Sequence, residues 1–105
     1  MAVLQLTEKE FAKAVCGEGV SAVLEFYADW CKPCHKMFPM IERLSEEYEN
    51  VKFYKINSDE EFLLVGAFKA ATLPTLVFVK DGVVIDVEAG VVGEDRVLEC
   101  INKIL

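Results

Sequence analysis

Residues 21–27 read Ser-Ala-Val-Leu-Glu-Phe-Tyr, apolar at odd and even positions alike except at Ser21 and Glu25. A strand with one wet face alternates apolar and polar residues, so this run predicts a strand buried on both faces. Such a strand needs a layer above it and a layer below it. The rest of the chain supplies the pieces. Residues 3–6 are a short apolar run. Thr7 and Glu10 have the spacing of a capping box, with Phe11, Ala12 and Val15 at helical spacing behind them. Gly17 and Gly19 close that helix. After a loop over 28–33, Met37, Ile41, Leu44 and Tyr48 share one helical stripe, and Pro39 inside it predicts a kink. Residues 51–57 read as a strand and 60–68 as a shorter helix with acids in its first turn. Strands over 75–80 and 83–88 are joined by Asp81-Gly82, a two-residue hairpin signal. Beyond Gly90 and Gly93, Val97, Leu98, Ile101, Ile104 and Leu105 form the stripe of a last helix. The order β-α-β-α-β-α-β-β-α predicts an α/β fold with a central mixed sheet of about five strands and helices on both faces. The crossovers predict parallel pairs and the hairpin an antiparallel one.

A chain of 105 residues predicts a single domain over 1–105. With 53% hydrophobic residues it can fill one core, the opposite of a disordered composition. Eleven basic against 18 acidic residues leave a net charge of −7, which argues against a nucleic-acid partner. Apolar stretches reach about seven residues, as at 73–79, far short of the roughly 18 that a membrane span needs, so no membrane partner is expected. The opening MAVLQLTEKE has neither the basic nor the long apolar region of a signal peptide. The expectation is a cytoplasmic monomer.

The cysteines are Cys16, Cys31, Cys34 and Cys100. Without a secreted context, a disulfide framework is not expected, and a Cys-x-x-Cys pair reads as redox-active or metal-binding. Cys31-Lys32-Pro33-Cys34 falls between the buried strand and a helix. A helix start has unpaired N–H groups and the positive end of the dipole, which stabilise a thiolate. Pro33 lacks an N–H that a first turn would leave unpaired. The i, i+3 spacing puts both sulfurs on one side of that turn, with Cys31 expected at the exposed tip and Cys34 a turn deeper. Two buried small residues, or half a zinc site, are the competing readings. Zinc wants about four ligands, and Cys16, Cys100 and His35 supply no second close pair, so no metal is expected. Trp30 reads as a contact surface beside the thiols. Val23, Leu24, Phe26 and Tyr27 around Glu25 predict that it is buried. A carboxylate there is costly to ionise, so its pKa is expected to be raised. Lys32, a cation beside Cys31, favours the thiolate. His35 reads as a solvated helix residue, and Cys16 and Cys100 as packing residues.

The chain resembles the thioredoxin family over nearly its whole length. The family's Trp-Cys-Gly-Pro-Cys reads Trp30-Cys31-Lys32-Pro33-Cys34 here. Its acid in the preceding strand is Glu25, its helix proline Pro39, its buried lysine Lys55, its apolar-Pro-Thr motif Leu73-Pro74-Thr75, and its following glycines Gly82 and Gly90. Departures are Lys32 for glycine, Glu25 for aspartate, Tyr27 where tryptophan is frequent, Lys69 where glycine is usual, and His35 where lysine or arginine is common. The resemblance implies a protein disulfide reductase with Cys31 as nucleophile, Cys34 as resolving thiol and Glu25 as proton acceptor. It implies a cis bond before Pro74, substrate contact through Trp30, Leu73, Pro74 and Gly90, and tuning by Lys55, which is expected to pair with Glu25. It also implies disulfide-containing proteins as partners, no bound cofactor beyond the Cys31–Cys34 disulfide, and electrons from a thioredoxin reductase, an FAD enzyme using NADPH. An oxidase or isomerase on the same fold, and a non-catalytic binding module, remain as alternatives.

Overall fold

The structure is a computed structural model that describes residues 2–105. Its elements are β1 (Val3–Gln5), α1 (Glu8–Val15), β2 (Ser21–Tyr27), α2 (Lys32–Glu47), β3 (Lys52–Asn57), α3 (Phe62–Phe68), β4 (Thr75–Lys80), β5 (Val83–Ala89) and α4 (Glu94–Ile104). The strands order as β1-β3-β2-β4-β5 in one mixed sheet. All seven residues of β2 are buried, as the apolar residues at odd and even positions alike predict, and Ser21 and Glu25 are buried with them. On one face, Val23, Phe53, Leu76 and Phe78 pack under Met37, Ile41 and Leu44 of α2 and Val97, Ile101 and Ile104 of α4. On the other, Leu24, Phe26, Ile56 and Val77 pack with Val15 of α1 and Leu64 of α3. No helix among the described residues is long and apolar enough to cross a membrane.

The strand–helix alternation misleads at one place. β1, β3 and β2 are parallel, but β4 runs antiparallel to β2. The seven-residue α3 is about 10 Å long, while a six-residue strand spans about 20 Å. The connection through α3 does not return the chain along the sheet, and β4 starts from the end where β3 finishes. Register then sets Thr75 beside Phe26, near the end of β2.

Local signals were also rearranged by long-range contacts. Thr7 makes no capping bond to the backbone; its hydroxyl donates to Glu10 Oε1 at 3.2 Å, and the Glu10 N–H goes to the Thr7 carbonyl. The two helix starts cap each other instead. Glu8 N–H donates to Glu61 Oε1 at 2.9 Å, and Leu63 N–H donates to Glu8 Oε2 at 3.3 Å. α3 accordingly begins after Glu60 and Glu61, and its first turn holds no acid. The hairpin follows its signal, with Asp81 at φ 54° and Gly82 at φ 77°, both left-handed as a two-residue connection demands.

At the end of α3, Lys69 takes the left-handed conformation, φ 53° and ψ 41°. A residue with a Cβ is strained there by roughly 1–2 kcal/mol, part of which glycine returns through its freer unfolded chain. Lys69→Gly is expected to stabilise the protein by about 0.5–1 kcal/mol in urea melts. Unchanged or lower stability would show that the lysine side chain compensates for its backbone.

Candidate active site

β2 delivers the chain to its carboxyl end, where Ala28 is still buried and Asp29 and Trp30 emerge. The Cys31 N–H donates to the Ala28 carbonyl at 3.1 Å, which turns the chain into α2. Cys31 is the N-cap of that helix, and its Sγ accepts the Cys34 N–H at 3.2 Å. A side-chain sulfur therefore fills the capping role at the positive end of the dipole, the setting that lowers a thiol's proton affinity. Pro33 occupies the first turn without an N–H to leave unpaired. Cys31 and Cys34 are joined by a disulfide, their Cα atoms 5.3 Å apart.

Cys31 is less open than the helix-tip expectation. It is only 4% exposed and Cys34 is fully buried, because Tyr27, Ala28, Phe38 and Leu73 pack around the pair. Cys31 lies in a shallow groove lined by Trp30, Cys31, Lys32, Pro33, Ala71 and Leu73. Trp30 is 69% exposed, and its indole N–H donates to Asp59 Oδ2 at 2.9 Å. The ring therefore presents a fixed apolar wall. Lys32 is exposed on the first turn of α2. The Leu73–Pro74 bond is cis, and the buried Pro74 accepts the Gly90 N–H on its carbonyl at 2.7 Å. Gly90 has φ 94°, and an added Cβ would meet no atom within 4 Å. Glycine is thus required there by backbone conformation, and the space beside it is open. Gly90 sits next to Pro74, and neither of the two is among the residues that line the groove.

Glu25 is fully buried, and neither carboxylate oxygen has a hydrogen-bond partner among the described residues. Burial pushes its pKa from 4.5 up to about 8, against a smaller opposing pull from Lys55. Lys55 is its register neighbour on β3. The expected ion pair does not form: among the described residues no cation lies within bonding range of Glu25, and the Lys55 ammonium sits over two rings, 5.7 Å from the centre of Tyr27 and 5.6 Å from that of Phe38. Tyr27 and Phe38 were missed in the sequence, although Tyr27 lies two residues from Glu25 on the same strand face and Phe38 one helical turn past Cys34. Ala71, a small residue in a loop, gave no signal at all.

The remaining candidates fall away from the pair's chemistry. His35 is exposed, with Nε2 donating to the Asp29 carbonyl at 2.8 Å. Cys16 is exposed rather than packed, because α1 ends at Val15 and Cys16 takes the C-cap position outside the helical stripe. Cys100 is buried as expected; burial, then the neighbouring Asp86 carboxylate, pushes its thiol up to about 11, so it is no nucleophile at neutral pH. No cluster of three or more metal-binding side chains occurs among the described residues.

The thioredoxin family model matches residues 2–103. The thioredoxin of Bacillus subtilis is 34% identical over 104 residues, covering 98% of both chains. That of Pyropia yezoensis is 31% identical over 104 residues, covering 98% of this chain and 97% of its own. The X-ray structure of Fasciola hepatica thioredoxin superposes with a TM-score of 0.88 at 31% identity, over 100% of both chains.

The state of Glu25 sets a pH dependence of stability. An acid whose folded pKa lies near 8 and whose unfolded value lies near 4.5 binds its proton more tightly in the folded protein. Stability is then greatest below about 4.5, falls as pH rises through the interval, and levels off above about 8, a loss on the order of a few kcal/mol. Glu25→Gln keeps a buried amide whose penalty does not change with pH. Denaturant melts from pH 5 to 9 are expected to show a decline in the parent that is largely absent in Glu25→Gln. Parallel pH profiles would mean that Glu25 is ionised throughout.

Proposed function

We propose that this chain, which belongs to the thioredoxin family and is a thiol–disulfide oxidoreductase acting through Cys31 and Cys34, works in the reducing direction on disulfides of other proteins. The observation that carries this reading is the Cys31 sulfur capping α2 with a buried, unpartnered Glu25 in the strand that leads to it. As a thiolate, Cys31 attacks one sulfur of the target disulfide. That S–S bond breaks, the target's other sulfur leaves as a thiolate, and a mixed disulfide forms. Cys34 then gives its proton to the Glu25 carboxylate, directly or through water, and attacks Cys31 Sγ. The mixed disulfide breaks, the target's second sulfur leaves, and the chain is left with the Cys31–Cys34 disulfide. The target has gained two electrons.

Each site residue has a part in that sequence. Trp30 and Leu73 hold the target chain along the groove, Pro74 sets the bend behind Leu73, and Gly90 leaves open space beside Pro74. Lys32 biases Cys31 toward the thiolate, weakly because it is exposed. Lys55 tempers the charge of Glu25. No bound cofactor is needed, because the cysteine pair itself carries the electrons; a flavoprotein thioredoxin reductase drawing on NADPH restores the dithiol. The setting that suits this direction is the cytoplasm, with residues 1–105 acting as one monomeric domain.

The roles of the two cysteines separate under substitution. Cys34→Ser is expected to accumulate mixed disulfides with a disulfide-bearing target such as insulin, visible as a mass increase that a reductant reverses. Cys31→Ser is expected to capture nothing and to lose reduction. Capture by Cys31→Ser in place of Cys34→Ser would exchange the roles.

A further inference from the structure

The position of Lys55 is unexpected for a cation beside a buried carboxyl. Glu25 and Lys55 are paired in register on adjacent parallel strands, on the sheet face that α2 covers. The ammonium nonetheless lies over the Tyr27 and Phe38 rings, and both Glu25 oxygens go unpartnered. Both rings are braced. The Tyr27 hydroxyl donates to Gln5 Oε1 at 3.1 Å, and Gln5 is the register neighbour of Lys55 on its other side. Tyr27 therefore reaches from β2 across β3 to β1, over the lysine. Phe38 meets Tyr27 edge-on with centroids 5.5 Å apart and interplanar angle 76°. Its other neighbour is the His35 ring, 5.0 Å away and edge-on, itself tied to the Asp29 carbonyl. Two ring faces within about 6 Å of an ammonium hold it by charge–quadrupole attraction.

We propose that Tyr27 and Phe38 form an aromatic cage that holds the Lys55 ammonium off Glu25, and that they are thereby positioning residues for the proton acceptor of the resolving step. An ammonium in contact with the carboxylate would favour its charged form and make it a weaker base. Held over the rings, the same charge acts only from a distance. Other ionisable groups on this side include His35 against Phe38 and the Asp29 and Glu60 carboxylates, which act on Tyr27. Cys31 and Cys34 lie at the head of α2, and Tyr27 is on the same strand as Glu25. β4 places Leu76 opposite Glu25, and the Cys100 thiol of α4 is turned to Asp86. Among the described residues, Lys55 is the charge that acts on Glu25, and the rings set where it sits.

This inference rests on Glu25 being the proton acceptor, and the test separates the two. The probe is the Glu25 side-chain carboxyl followed by carbon NMR in the reduced protein, together with the pH profile of mixed-disulfide resolution in single-turnover kinetics. Phe38→Leu keeps apolar volume and removes one ring. It is expected to lower the Glu25 midpoint by about half a unit or more, a roughly threefold loss of proton affinity, and to move the kinetic profile with it. Tyr27→Phe keeps the ring but cuts the Gln5 tether, and a smaller shift in the same direction is expected; it serves also if Phe38→Leu folds poorly. Lys55→Gln is expected to raise the midpoint, and adding Phe38→Leu to it to change nothing further. A midpoint that stays put in both ring variants, or that moves equally without Lys55, overturns the cage. A midpoint that moves while the kinetic profile does not upholds the cage and overturns Glu25 as the acceptor.

Discussion

The structure depends on the burial of β2 from both sides. Seven consecutive buried residues force helices onto each face of the sheet and put this strand at the centre of the order β1-β3-β2-β4-β5. The same burial fixes where its carboxyl end emerges. Ala28 is the last covered residue, and within three residues the chain has turned into α2 with Cys31 at its cap. The site is therefore an outcome of layer packing. The strand that anchors the core also aims the reactive sulfur.

That one strand sets two acid–base environments of opposite sense. At its end, the helix terminus offers N–H groups and positive potential, and a sulfur there is helped to lose its proton. Inside it, Glu25 is fully buried with no hydrogen-bond partner among the described residues, and is helped to keep its proton. Thiol exchange needs such a division, because one group must be a nucleophile while another takes up a proton. Glu25 is an expensive residue in folding terms, and a strand that is apolar from Ala22 to Tyr27 but for this one position has no structural use for it. Its presence is intelligible through the chemistry next to it.

Much of this was legible in the sequence because it is local. The two-face burial of 21–27, the Cys-x-x-Cys at a strand–helix junction, the Asp81-Gly82 turn and the burial of Glu25 all follow from residue types at short spacing. What was not legible depends on distant parts meeting. The antiparallel β4 depends on where the connection through α3 delivers the chain, which no local residue pattern encodes. The mutual capping of α1 and α3 joins Glu8 to Glu61 across 53 positions. The expected Glu25–Lys55 pair was the natural reading of two opposite charges on neighbouring strands; it yields to rings contributed by α2 and by the far end of β2. Cys16 lost its packing role through a helix that ended one residue early.

The most direct test of the proposed direction of electron flow is the equilibrium reduction potential of the Cys31–Cys34 pair, measured against glutathione with the purified protein. A protein that reduces disulfides in other proteins is expected near about −270 mV, the value general to thioredoxins. A potential near about −120 mV, typical of strong disulfide donors, would contradict it and make this chain an oxidant.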